Sequence, residues 1–112
     1  MQYALLIHYP PGYTDALSEN EQKAVFAEYQ ALGEDPRARG GAQLQPVETA
    51  TTVRVQDGQT QTTDGPYADT KEVFGGYYVF EADSLDEAIE LAARIPAARL
   101  DGAIEVRPLV ER

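Results

Sequence analysis

One side chain in this sequence titrates near neutral pH: His8, the only histidine among 112 residues. In the alternation of the apolar run around it, His8 shares a face with Leu6 and Ala4. It is the natural candidate for general acid or base; the plainer reading is a strand-end histidine hydrogen-bonded near the surface. A carboxylate raised by burial is the other route to proton exchange near pH 7, and Asp64, Glu72 and Glu105 are the candidates. Asp64 opens Asp64-Gly65-Pro66, which is first a turn: the aspartate accepts local backbone N–H bonds, glycine permits unusual dihedrals and proline fixes the exit. Its side chain is expected to hydrogen-bond the backbone of residues 65–70. In the functional reading Asp64 is a carboxylate beside an opening, with Tyr67, Thr70, Lys71 and Glu72 around it, because loops on a rigid sheet are where sites usually lie. Tyr77, Tyr78, Glu105 and Arg107 form a third group. Whichever tyrosine faces the side of Glu105 and Arg107 gives a pocket with an aromatic wall and a paired charge, or else an interfacial ion pair that only sets register.

The same inventory excludes other chemistries. There is no cysteine, hence no disulfide, thiolate nucleophile or Cys-based metal site, and one histidine without His or Cys partners predicts no metal. No Gly-rich nucleotide loop and no Ser-His-Asp pattern occurs, so no bound cofactor is expected. With 19 acidic against 9 basic residues and a net charge of -10, the chain repels a phosphate backbone, and no nucleic-acid partner is expected. The N-terminus lacks a basic leader region and no run approaches a membrane span, so the expected place is the cytoplasm, with no membrane partner.

The elements that must position these residues are legible from patterning. The chain is long enough for one domain, residues 1–112, and two cores of about 55 residues would each be marginal. Residues 2–9 are nearly continuously apolar and end at Pro10-Pro11-Gly12, a strand buried on both faces. Ser18 and Glu21 have capping-box spacing, and Val25, Tyr29 and Leu32 make one stripe, which predicts a helix over 19–32 followed by a polar connection, 34–41. Residues 51–56 and 59–63 flank Asp57-Gly58 and predict a thin hairpin, an edge or protruding arm. Residues 76–81 read as an interior strand. Ser84 and Glu87 repeat the capping spacing before a helix over 85–94, its stripe made of Leu85, Ala88, Ile89 and Ala92. Residues 103–107 alternate, and Pro108 marks an edge strand.

The order strand, helix, strand or hairpin, strand, helix, strand is the α+β, ferredoxin-like βαββαβ arrangement with an extra hairpin. Its two middle strands are the two runs found apolar on both faces. Two helices cover one face of such a sheet, leaving Leu5 or Leu6 and one of Tyr77 and Tyr78 on the other. A second copy, sheet to sheet, closes a dimeric α+β barrel. At ~25 cal/mol per Å², ~600 Å² of apolar area gives ~15 kcal/mol before association entropy is subtracted.

The nonapeptide Asp64-Gly65-Pro66-Tyr67-Ala68-Asp69-Thr70-Lys71-Glu72 is the most specific string. With Ala50-Thr51-Thr52-Val53-Arg54, Gly75-Gly76-Tyr77-Tyr78 and Glu105-Val106-Arg107-Pro108, it resembles the YCII-related proteins, in particular the branch named for its DGPF motif, over nearly the whole chain. Tyr67 stands where that name has phenylalanine, and Asp69 where glutamate is common. The resemblance implies a dimeric α+β barrel. The wider group pairs a histidine near the start of helix one with an acid before the proline that follows helix two. Here residues 19–32 hold no histidine and Ile95 precedes Pro96, so that dyad has no counterpart. The reading that follows is a homodimer whose polar cleft takes a small organic metabolite, with acid–base chemistry at Asp64 or His8 and with Tyr67, Lys71, Tyr77, Tyr78, Glu105 and Arg107 around the ligand. The alternative is a non-catalytic dimer acting in regulation or through protein contacts.

Overall fold

A computed structural model describes residues 1–112. Along the chain run β1 (Gln2–Tyr9), α1 (Glu19–Gly33), β2 (Ala38–Gln43), β3 (Thr51–Gln56), β4 (Gln59–Asp64), β5 (Val73–Glu81), α2 (Leu85–Ala93) and β6 (Ala103–Pro108), with short 3₁₀ turns at Val47–Thr49 and Pro96–Arg99. Four strands form an antiparallel sheet in the order β2-β5-β1-β6, and β3 pairs with β4 in a separate two-stranded ribbon. The two strands read as apolar on both faces, β1 and β5, are the central pair, and Pro108 closes an edge strand as its missing N–H requires.

Both helices start where their serines place them. Ser18 Oγ accepts the Glu21 N–H at 3.1 Å while the Ser18 N–H donates to Glu21 Oε1 at 2.9 Å, a complete capping box. At α2, Ser84 Oγ accepts the Glu87 N–H at 3.2 Å, but the Glu87 carboxylate accepts from the Asp83 N–H and from Arg37. Arg37 also donates two parallel hydrogen bonds to Asp35, each 3.0 Å. This clasp ties the end of α1 to the start of α2. The α2 stripe is rotated from the one expected: Ala88, Leu91 and Ala92 are buried, whereas Leu85 and Ile89 are about half exposed. Leu91 reaches the sheet together with Ile95, which the periodicity of α2 alone does not include.

One strand escaped the sequence. Residues 34–41 were expected as a loop, yet Ala38–Gln43, Arg-Gly-Gly and all, pairs with the outer edge of β5. An edge strand with exposed side chains needs no apolar pattern, and the open N–H and C=O row of β5 supplies the partner. The hairpin is as expected, an exposed arm turning at Asp57 and Gly58, both at positive φ.

The core lies between the sheet and the helices. Tyr3, Leu5 and Ile7 of β1 and Phe80 of β5 pack against Leu32, Ala88, Leu91, Ala92 and Ile95. Full burial of a Leu or Phe contributes about 1.5–3 kcal/mol. The opposite face carries Ala4, Leu6 and His8, with Tyr77 across from Leu6 and Val79 across from Ala4, and nothing in the chain covers it. The molecule is accordingly flat, 45 × 42 × 20 Å, with a radius of gyration of 15.9 Å, where about 13 Å is usual for this length. No helix is long and apolar enough to cross a membrane.

Candidate functional site

Between β1 and β5 the ladder slips by one residue: Ile7 pairs with Gly76, His8 with Phe74, and Gly75 is the extra residue. Such a bulge re-aims the side chains beside it. Here it separates two cavities, one on each side of the sheet.

On the helix side Tyr9 lies flat over Gly75, where any Cβ would run into its ring. Tyr9 stacks on Tyr13 with centroids 4.2 Å apart at 22°. The Tyr13 and Tyr29 hydroxyls share a hydrogen bond of 2.8 Å, and the Tyr78 hydroxyl donates to the Tyr29 carbonyl at 2.7 Å. These side chains line a cleft of about 450 Å³ between α1 and the β2–β5 strands, with Thr14, Gln22, Gln30 and Gln43 as further polar groups. Burial, then the hydrogen bond shared with Tyr13, lifts the Tyr29 phenol far above its ordinary range. Burial likewise raises Tyr9 and pushes Tyr78 up to about 12. The phenols therefore stay neutral at ordinary pH. They donate and accept hydrogen bonds around an aromatic slot but remove no proton from a ligand.

On the open side is a wider groove of about 980 Å³, walled by the segment after β2 and the loop before β5, and lined by His8, Leu44, Tyr67, Lys71, Glu72 and Phe74 among others. His8 Nε2 is 3.6 Å from Glu105 Oε1, with side chains 31% and 53% exposed. The His8 ring lies 5.5 Å from that of Phe74. Tyr67 carries the Arg54 guanidinium 5.0 Å over its ring. No three metal-ligating side chains converge anywhere in the chain.

The nominated residues are thus divided. His8, Tyr67 and Lys71 meet at the groove. Tyr77, Glu105 and Arg107 share the open sheet face, since Leu6 pairs with both Tyr77 and Glu105 and Ala4 with Arg107. Tyr78 belongs to the opposite face and to the tyrosine cleft. The expected Glu105–Arg107 pairing is corrected: the cation-forming group beside Glu105 is His8, 3.6 Å away and diagonal to it across the β1–β6 ladder. Asp64 is corrected too. It is exposed, pairs as the last residue of β4 with Thr51, and lines neither cavity. The turn is held from β3, where Thr52 Oγ1 donates to the Gly65 carbonyl at 2.8 Å and the Gly65 N–H donates to Ala50 O at 2.8 Å. Gly65 adopts φ +104°, which explains the glycine. Farther along, Thr70 Oγ1 donates to Glu72 O.

Sequence reasoning missed Tyr9 and Tyr13 and read Tyr29 only as helix stripe. The available signal was Gly75-Gly76 in a strand otherwise rich in large side chains, since paired glycines there mark a close approach.

The family model of the YCII-related domain matches residues 1–112. An uncharacterized protein of Rhizobium meliloti (strain 1021) is 36% identical over 114 residues, covering 97% of this chain and 92% of that protein. Among solved structures, the 5-chloro-2-hydroxyhydroquinone dehydrochlorinase of Burkholderia phenoliruptrix AC1100, in complex with 2,5-dihydroxybenzoquinone, aligns over 100% of this chain and 96% of that chain with a TM-score of 0.54 and 18% identity. At that identity the likeness concerns the fold.

Proposed function

The chain belongs to the YCII-related family, and from that premise we propose that it is a homodimer that binds a small planar organic metabolite in the tyrosine cleft. The observation that carries the reading is the linked set Tyr13, Tyr29 and Tyr78 on a slot floored by the Tyr9–Tyr13 stack. A volume near 450 Å³ suits a ligand of one or two rings. Neutral phenols and the Gln22 and Gln30 amides suit oxygen substituents on it. The quinone held by the structural neighbour is a molecule of this size and shape, and it supplies the first probe. The flat monomer and the half-covered apolar face at Leu6, Tyr77 and Val79 support the second copy. Within the cleft the lining phenols bind and polarise, and the imidazole of His8 lies across the sheet.

The chain contains seven tyrosines and no tryptophan, so quenching of tyrosine emission, checked by calorimetry, reports the cleft. Titration with 2,5-dihydroxybenzoquinone is expected to saturate with a Kd on the order of 10 μM, and Tyr29→Phe to weaken it by about tenfold. A dimer by sedimentation that gives neither heat nor saturable quenching would leave the regulatory or interaction reading in its place.

A further inference from the structure

The histidine groove is not used by that reading, and its charges are unusual for this chain. Only two lysines are present in a molecule of net charge -10. Lys23 is paired with Glu19, and the remaining ion pairs engage Arg37, Arg94, Arg99, His8 and the N-terminus, so the Lys71 ammonium is uncommitted although Glu72 is its neighbour. Lys71 lines the groove with His8. The Arg54 guanidinium stands over the ring of Tyr67, which lines the same wall. One uncommitted ammonium and one imidazole therefore line a groove that also holds Glu72, with a guanidinium at second remove over Tyr67. The body of the groove is apolar, with Leu44, Val47, Val73 and Phe74. Leu44 and Phe74 are 40% and 41% exposed, and they share this one groove with Val47 and Val73 instead of standing singly on the surface.

We propose that this groove is a second small-molecule site, separate from the tyrosine cleft, that takes an organic monocarboxylate: the carboxylate on Lys71, the apolar body against Phe74 and Leu44, the far end against His8. A single uncommitted ammonium matches a single negative charge. Glu72 in the wall, Glu105 beside His8 and the field of the whole chain oppose a dianion such as a phosphate monoester. His8 is the second-last residue of β1, at the end of the open face. A copy packed over Leu6 and Val79 then borders the groove.

The lone histidine makes the test clean, because every imidazole resonance belongs to His8. The full-length protein is titrated with benzoate at constant pH, and with benzamide as the uncharged match. Benzoate is expected to shift the His8 ring resonances saturably, with a Kd on the order of 1 mM, while benzamide leaves them in place. The exposed substitution Lys71→Gln should weaken benzoate by about tenfold, and Tyr29→Phe should not change it. A null benzoate titration, an equal response to benzamide, or full affinity in Lys71→Gln overturns the proposal. Because sensitivity to Tyr29→Phe marks the tyrosine cleft and sensitivity to Lys71→Gln with imidazole shifts marks the groove, failure of one leaves the other standing.

Discussion

The two faces of the β1–β5 pair are made of similar side chains and do opposite things. On the helix face, Tyr3, Leu5, Ile7 and Phe80 are buried, and the tyrosines beyond them are linked through their hydroxyls. On the open face, Ala4, Leu6, His8, Tyr77 and Val79 remain partly exposed, and the imidazole sits there beside the Glu105 carboxylate. Alternation along β1 sends Tyr9 to one side and His8 to the other, and the bulge at Gly75 brings Phe74 to the side of His8. The difference teaches that the burial which encloses the tyrosine cleft also raises the Tyr9, Tyr29 and Tyr78 phenols, so that they keep their protons. The imidazole is kept where water still reaches it.

The sharpest break between the faces comes from neighbouring leucines. Leu5 is fully buried, so Leu5→Ala should lower unfolding stability by about 3 kcal/mol in urea denaturation. Leu6→Asp should leave the monomer folded by circular dichroism and convert the sedimenting dimer to monomer, because a carboxylate on that face must be desolvated for a second copy to dock. If Leu6→Asp unfolds the chain as severely as Leu5→Ala, the open face is core and the comparison fails.

Gly75→Ala acts on the bulge itself. The new methyl meets the ring of Tyr9, and the expected cost is about 2 kcal/mol with loss of quinone binding. Unchanged stability together with unchanged quenching would mean that Tyr9 does not rest on Gly75.

The smallest effect concerns the clasp that holds the helix layer and touches neither cavity. Hydrogen bonds from Arg37, side chain first and backbone second, hold the Asp35 carboxyl at about 2, below its ordinary 3.8. A depressed carboxyl stabilises the fold above its unfolded value, and that contribution fades as pH falls from 3.8 towards about 2. Asp35→Asn should cost about 1 kcal/mol at pH 7 and should flatten the acid limb of the stability profile relative to the parent. Parallel limbs in the two proteins would assign the acid sensitivity to other carboxylates.

Local pattern determined much of this molecule. The central strands, the helix starts at Ser18 and Ser84, the Asp57-Gly58 hairpin and the family resemblance carried by the Asp64–Glu72 string all follow from residues close in sequence, because capping, turn chemistry and periodicity act over a few positions. Tertiary structure decided the rest. The edge strand β2 exists because β5 offers it a free ladder. Tyr78 and not Tyr77 faces the helices because the β1–β5 register aligns Tyr77 with Leu6. Asp64, prominent in its motif, pairs in a ribbon while Thr52 holds the turn. Tyr9, Tyr13, Tyr29 and Tyr78 come from four separate places in the chain, and only the strand register and the docking of α1 bring their rings together; proximity of that kind depends on layer packing, whose one local mark here is the Gly75-Gly76 pair.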